Sequence, residues 1–140
     1  MEKEMDTIKL SIPNKPEYVS VIRLTLASVA SRMGFDVEKV DDIKVAVAEA
    51  CTNAITHGAN DEEGNFEVEF IVYKEKIDIL VYDKGKGFIA NDIEQPSISN
   101  LKEGGLGVFI IKSLMDQVEF IQNKEKGTIT KMTKYVGDEL

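Results

Sequence analysis

The sequence predicts a two-layer α/β sandwich in which a mixed, mostly antiparallel sheet carries helices on one face. Three observations predict this class. The elements follow the order β-α-α-β-β-loop-α-β-β, the strands come in consecutive pairs that favour hairpins, and the helices have apolar faces. The length of 140 residues fits a single domain over 1–140, which can bury roughly two-thirds of its unfolded surface.

The N-terminal elements are a strand and two helices. Residues 7–12 alternate between apolar and polar side chains, which predicts a short strand. Pro16 suits the first turn of the helix that follows. That helix runs to about Met33, and Gly34 is a plausible stop. A second helix is expected over about 38–57.

The second half of the chain contributes four strands and one helix. Alternation over 66–72 and 77–81, with a polar turn between them, predicts a hairpin. Residues 84–105 are rich in Gly, Ser and Asn, and a loop of that length is usually functional or disordered. A helix is expected at about 106–116, followed by strands near 118–122 and 128–135.

Composition excludes several classes of function. The net charge is −8, with 25 acidic and 17 basic residues, so a nucleic acid would be repelled and a basic protein attracted. Cys51 is the one cysteine, which excludes an internal disulfide and fits a reducing compartment. No apolar run reaches the ~20 residues that span a bilayer, and the N-terminus lacks a signal-peptide apolar region. We therefore expect a cytoplasmic protein.

The second predicted helix carries two polar residues on one side. Glu49 and Asn53 are spaced i and i+4, so their side chains point the same way. An amide oxygen can bind Mg²⁺, and a carboxylate can orient or deprotonate a hydroxyl. The alternative is a helix edge with ordinary polar residues. His57, the one histidine, is interpreted as a helix-end or packing residue.

Asp83 ends a predicted strand and precedes Gly85 and Gly87. An Asp in this place can accept a hydrogen bond from an adenine amino group, and glycines let the backbone approach a flat ring. The alternative is an ordinary strand-to-loop turn. Residues 85–90 also fit a dinucleotide-binding pattern, but that pattern needs a helix immediately afterwards, which is not indicated here.

A second glycine cluster precedes the third predicted helix. Gly104, Gly105 and Gly107 lead into an apolar stretch that begins at Leu106. Backbone amides at a helix N-terminus bind anions, and glycines allow phosphates to come close. The alternative is a flexible hinge before the helix.

Three segments together resemble the boxes of the GHKL ATPase superfamily, namely EACTNAITHG (49–58), DKGKGF (83–88) and EGGLGVF (103–109). Within it, the chain resembles the small serine-kinase anti-sigma factors, and among these the general-stress type. PEYVSVIRLTLASVASRMGF (16–35) and DDIKVAVAEACTNAITHG (41–58) carry that likeness. The resemblance implies the GHKL fold and a protein-serine kinase that uses Mg²⁺ and ATP.

The resemblance also implies a role for each matching residue. Glu49 would be the general base toward a substrate serine, and Asn53 would coordinate Mg²⁺. Asp83 would recognise adenine, with Thr128 near it. Residues 88–103 would form the ATP lid, and the glycines that would approach the nucleotide are Gly85, Gly87, Gly104, Gly105 and Gly107.

One position departs from the family pattern. Sporulation-type relatives carry an arginine beside the glycine run, where this chain has Glu103. A glutamate cannot neutralise phosphate, so Lys102 is the candidate substitute for that contact.

The resemblance implies partners as well. Members of the family act as homodimers that sequester an RNA polymerase sigma factor and phosphorylate an anti-anti-sigma factor. The partner surface is expected around the first helix, where Arg23 matches a family contact position, although an exposed helix arginine needs no such role.

Two classes of function follow from these features. The first is a kinase that also sequesters a sigma factor. The second is a binding module that holds ATP without catalysis and only sequesters a sigma factor, and the Glu49–Asn53 pair argues against it. A histidine-kinase fragment is disfavoured because His57 lies inside the ATP box itself.

Overall fold

The computed structural model describes residues 4–57, 64–83, 105–123 and 127–137. Within these residues, five strands and three α-helices follow one another in the predicted order. The strands are β1 (Glu4–Pro13), β2 (Asn65–Tyr73), β3 (Lys76–Asp83), β4 (Gln117–Asn123) and β5 (Gly127–Tyr135). The helices are α1 (Val19–Met33), preceded by a 3₁₀ turn at Pro16–Tyr18, α2 (Val37–His57) and α3 (Gly105–Leu114).

The strands form one sheet in the order β1-β2-β3-β5-β4. Each of the four described pairings is antiparallel. The expected two-layer α/β sandwich is therefore confirmed, and the sheet, which was expected to be mixed and mostly antiparallel, is antiparallel in every described pairing. The final strand, β5, lies between β3 and β4. Strand β3 is therefore the central strand, with two strands of the sheet on each side of it.

The core lies between the helices and one face of the sheet. Strand β2 alternates between buried and more exposed residues, as a half-covered strand should. Its buried side chains pack with those of β3 and with the inner faces of the helices. The core includes Ile22, Leu26, Val47, Phe66, Phe70, Ile79, Ile111 and Met132, each at most 2% exposed.

The boundaries of α1 and α2 have identifiable causes. Gly34 ends α1 in the left-handed conformation, with φ of 100°, and its N–H is bonded to the carbonyls of Ala30 and Ser31. Asp36 then caps α2, because its Oδ1 accepts the backbone N–H of Lys39 at 2.8 Å. The Lys39 Nζ donates to the Val136 carbonyl at 2.9 Å, which ties the start of α2 to the end of β5.

The other side of the sheet, here called the outer face, carries the alternate residues of each strand. One cross-strand row, here called the central row, runs across all five strands. In strand order it consists of Lys9, Glu69, Leu80, Lys131 and Glu119.

No helix among the described ranges is long and apolar enough to cross a membrane.

Candidate functional site

Helix α2 holds the first two candidate residues in place. Its apolar side, which includes Val47, Ala50 and Cys51, is buried in the core. Glu49 and Asn53 lie on another side, where Glu49 is partly exposed and Asn53 is 9% exposed. Because a buried helix cannot rotate without exposing its core residues, the direction of both polar side chains is determined by the packing.

The first turn of α3 meets both of these side chains. A Cβ placed on Gly107 would lie 3.0 Å from the Glu49 Oε2 and 3.4 Å from the Asn53 Nδ2. The absence of a side chain at Gly107 therefore allows the first turn of α3 to pack closely against the two polar groups. Helix α3 begins at Gly105, and the first four N–H groups of a helix lack intrahelical acceptors. This turn thus brings backbone donors to a carboxylate and an amide.

A second pair of candidates lies on the sheet. Asp83, the last residue of β3, is opposite Thr128 of β5 in the antiparallel register. Both are buried, with exposures of 7% and 2%. Among the residues that the structure describes, the Thr128 Oγ1 has no hydrogen-bond partner. A buried hydroxyl without a partner is costly, so a ligand that bonds to it would remove that cost.

The two pairs belong to the same side of the molecule. Asp83 continues the buried alternation of β3 (Ile79, Val81), which faces the helices. Helix α2 packs on β3 and on α3. The structure thus supports a candidate site built between α2, the start of α3, the end of β3 and the start of β5.

Of the remaining predicted residues, two lie within the described part of the chain and the others lie outside it. Gly105 is buried in the first turn of α3, and Arg23 is exposed on α1, away from the core face. The other expectations lie outside the described residues. These are Gly85, Gly87, Lys102, Gly104 and the lid over 88–103, together with the side chain of His57.

Cys51 lies between Glu49 and Asn53 in the sequence but belongs to the core. It is a free thiol with 0% exposure. Burial raises its pKa to about 12, so the thiol stays protonated at neutral pH. A protonated, enclosed thiol is a poor nucleophile, and this excludes Cys51 from the chemistry of the site.

Sequence reasoning identified these residues but could not predict how they face one another. The i and i+4 spacing placed Glu49 beside Asn53, whereas their approach to Gly107 depends on the packing of α2 against α3. Likewise, the register that sets Thr128 opposite Asp83 arises from a pairing of strands distant in sequence.

Comparisons with known proteins identify the family of this chain. A family described as "Histidine kinase-like ATPase domain" matches residues 12–134. The chain is 42% identical to the serine-protein kinase RsbW of Bacillus pumilus, over 99% of this chain and 91% of that protein. It is 43% identical to RsbW of Oceanobacillus iheyensis, over 96% and 89%, and 40% identical to RsbW of Bacillus subtilis, over 99% and 91%.

A solved structure shares the fold. The crystal structure of the RsbU and RsbW domains of Rv1364c from Mycobacterium tuberculosis superposes with a TM-score of 0.69. The match covers 93% of this chain and 32% of that chain, at 17% sequence identity. At this identity the likeness concerns the fold alone.

Proposed function

We propose a mechanism of phosphoryl transfer for this chain. The premise is that the chain belongs to the histidine kinase-like ATPase family and, within it, to the RsbW serine-protein kinases. The proposed reaction transfers the terminal phosphoryl group of ATP to a serine of a protein substrate. The observation that carries the proposal is the approach of Glu49, Asn53 and Gly107 to one another across the α2–α3 contact.

The described residues fit a purine nucleotide at the sheet end of the site. Asp83 would accept a hydrogen bond from the adenine amino group, since a carboxylate has several acceptor positions. The buried Thr128 hydroxyl, which lacks a partner among the described residues, supplies a further polar contact there. Gly85 and Gly87, outside the described residues, would allow the backbone to approach the ring.

The first turn of α3 fits the phosphates. The first N–H groups of a helix lack intrahelical acceptors and point along the helix axis at its N-terminus, where the helix dipole also favours anions. Gly104, Gly105 and Lys102 are the neighbouring residues that we assign to the same phosphates.

Glu49 has the position of a general base in this arrangement. Its carboxylate faces the turn that would hold the phosphates. The substrate serine would lose its proton to Glu49 as the serine oxygen forms a bond to the terminal phosphorus and the bond to the bridging oxygen breaks, with release of ADP. Positioning and electrostatic stabilisation account for most of the catalysis in phosphoryl-transfer enzymes, and a positioned general base typically contributes a further factor of roughly 10²–10⁴.

Asn53 is the residue that we assign to Mg²⁺. An amide oxygen is a suitable ligand for this ion, which protein sites usually bind through one or two side chains together with substrate phosphates and waters. When bound, Mg²⁺ would neutralise charge that develops on the phosphates. Asn53 would also orient Glu49 by occupying the neighbouring turn of α2.

The proposal extends to partners. We assign an anti-anti-sigma factor as the protein substrate and an RNA polymerase sigma factor as the sequestered protein, with the chain acting as a homodimer. Such partners place the activity in the cytoplasm. Arg23, exposed on α1, is the residue that we assign to this surface.

The test is intact-mass spectrometry of the antagonist protein after incubation with this protein and Mg·ATP. The expected result is the gain of one phosphoryl group with the wild type and none with Glu49→Ala. ATP binding, measured by calorimetry, should survive in that variant because the carboxylate acts on the serine.

A matched control is Glu38→Ala, which removes an exposed carboxylate from the first turn of the same helix. This control should transfer phosphate at the wild-type rate. Persistent transfer by Glu49→Ala would remove Glu49 as the base. Failure of the wild type to bind ATP would overturn the nucleotide site as a whole.

A further inference from the structure

A groove opens on the helix side of the sheet, at the end where α1 stops. It lies between the last turns of α1 and the strands β1 and β2, and it encloses about 540 Å³. Small-molecule sites typically have volumes of roughly 300–1,000 Å³ and mostly apolar walls. The apolar residues that line this groove are Ile8, Val29, Met33 and Val72.

The groove arises because α1 is shorter than the strand beside it. At about 1.5 Å per residue the 15 residues of α1 span about 22 Å, whereas the 10 residues of β1 span about 34 Å at about 3.4 Å each. The chain leaves α1 at Gly34 and turns into α2. The strands therefore continue past the last turn of the helix, and the apolar side chains at that end are only partly covered.

Charged side chains line the groove as well. Arg32, in the last turn of α1, and Lys74, which follows β2, are cationic, and Asp6 of β1 is anionic. All three are exposed, and among the described residues none of them takes part in an ion pair. Two positive charges and one negative charge give the groove a net charge of +1, whereas the whole chain carries −8. The groove is thus a locally basic site on an acidic protein.

We propose that this groove binds a single-chain amphiphile with a carboxylate head, a medium-chain fatty acid. The hydrocarbon chain would pack on the apolar lining, where each buried methylene strengthens binding by up to about fourfold. The carboxylate would bond to Arg32, because a planar guanidinium matches a carboxylate with two parallel hydrogen bonds. A monoanion fits the net charge of +1, whereas a dianionic phosphate head would leave excess negative charge beside Asp6.

This groove is separate from the candidate nucleotide site. Val72 is paired with Ile77 near the start of β3, and Asp83 lies six positions further along that strand. At about 3.4 Å per residue, the groove and Asp83 are roughly 20 Å apart along the sheet. Neither Glu49 nor Asn53 lines the groove. The fatty acid is therefore a ligand beyond those of the proposed function, and its binding does not depend on phosphoryl transfer.

The test is the binding of decanoate to the full chain, measured by calorimetry below the concentration at which decanoate forms micelles. One decanoate should bind per chain with a dissociation constant of about 1 mM or lower. Amide chemical shifts in NMR spectra should change around Ile8, Met33 and Tyr73. Decylammonium, which has the same chain length and the opposite charge, should bind at least about tenfold more weakly.

Three results would overturn the proposal. One is the absence of saturable decanoate binding, and another is equal affinity for decanoate and decylammonium. The third is a set of shift changes confined to Asp83 and Gly107, which would place decanoate in the nucleotide site.

Substitutions of the exposed charged groups test the recognition of the carboxylate. Arg32→Gln should weaken decanoate binding at least about fivefold and Lys74→Gln about threefold. Asp6→Asn should tighten it about threefold, because the charge that is removed repels the carboxylate. The matched controls Lys15→Gln and Asp41→Asn make the same changes outside the groove and should leave the dissociation constant within about 1.5-fold. Groove variants that bind decanoate as these controls do would refute the site, as would weaker binding by Asp6→Asn.

Discussion

Replacement of Gly107 by alanine should separate catalysis from stability. The new Cβ would lie 3.0 Å from the Glu49 Oε2, closer than nearly all carbon contacts of this kind, and 3.4 Å from the Asn53 Nδ2. The carboxylate must therefore shift by a few tenths of an ångström. The same methyl group would lie in the turn of α3 that we assign to the phosphates.

The substitution should affect stability and catalysis in opposite directions. Alanine is favoured over glycine within a helix by up to about 1 kcal/mol, and the side chain that must move is flexible at its far end. The free energy of unfolding should stay constant or rise by up to that amount. Misplacement of catalytic groups by about 1 Å costs roughly 100-fold in rate, so a shift of a few tenths of an ångström should lower kcat/KM about threefold to tenfold, equivalent to about 0.7–1.4 kcal/mol.

The assay pairs the rate of phosphoryl transfer with urea unfolding of the same samples. Gly137→Ala is the matched control, because a Cβ at Gly137 has no atom within 4 Å among the described residues; it should change neither quantity. If Gly107→Ala transferred phosphate at the wild-type rate, the claim that catalysis requires the close approach of Gly107 to Glu49 and Asn53 would be refuted. A variant that loses activity and stability together would refute it as well, since the loss would then be structural.

Three further outcomes are expected. Thr128→Val should raise the ATP dissociation constant at least about fivefold in calorimetry without lowering the free energy of unfolding, because it replaces a buried hydroxyl that lacks a partner among the described residues; unchanged affinity would remove the hydroxyl from the site. Gly34→Ala should lower the free energy of unfolding by about 1–2 kcal/mol, because φ is 100° there, and an unchanged melting temperature would contradict this. Burial raises the pKa of Cys51 to about 12, so the unfolded chain binds fewer protons above about pH 9 and stability should decline from there to about pH 12. Cys51→Ala should show a shallower decline in unfolding measurements across that range, and an equal slope would exclude the thiol as the cause.

Local signals were sufficient to predict most of the fold. Alternation identified β2 and β3, and Gly34 marked the end of α1, because these features depend on nearby residues. The tie between Lys39 and the carbonyl of Val136 could not be predicted, since the two are far apart in sequence. The same holds for Asp78, whose burial on the outer face depends on Thr133 and Lys131 of another strand.

The candidate site shows the same division. The spacing of Glu49 and Asn53 is a property of one helix and could be inferred directly. The approach of Gly107 to both residues requires two helices to pack, and Thr128 meets Asp83 only through strand register. The properties of single segments were therefore enough to predict which residues belong to the candidate site. Their arrangement in space depends on tertiary contacts.

The position of β5 between β3 and β4 has a consequence for how the chain is made. During synthesis β3 emerges long before β5, so one edge of the central strand must wait unpaired while α3 and β4 are added. An unpaired edge invites pairing with other chains, and late, non-local pairing slows folding. A nascent chain arrested before β5 should therefore be prone to aggregation and should depend on chaperones, and tolerance to C-terminal truncation should end abruptly once the truncation reaches Tyr135, the last residue of β5.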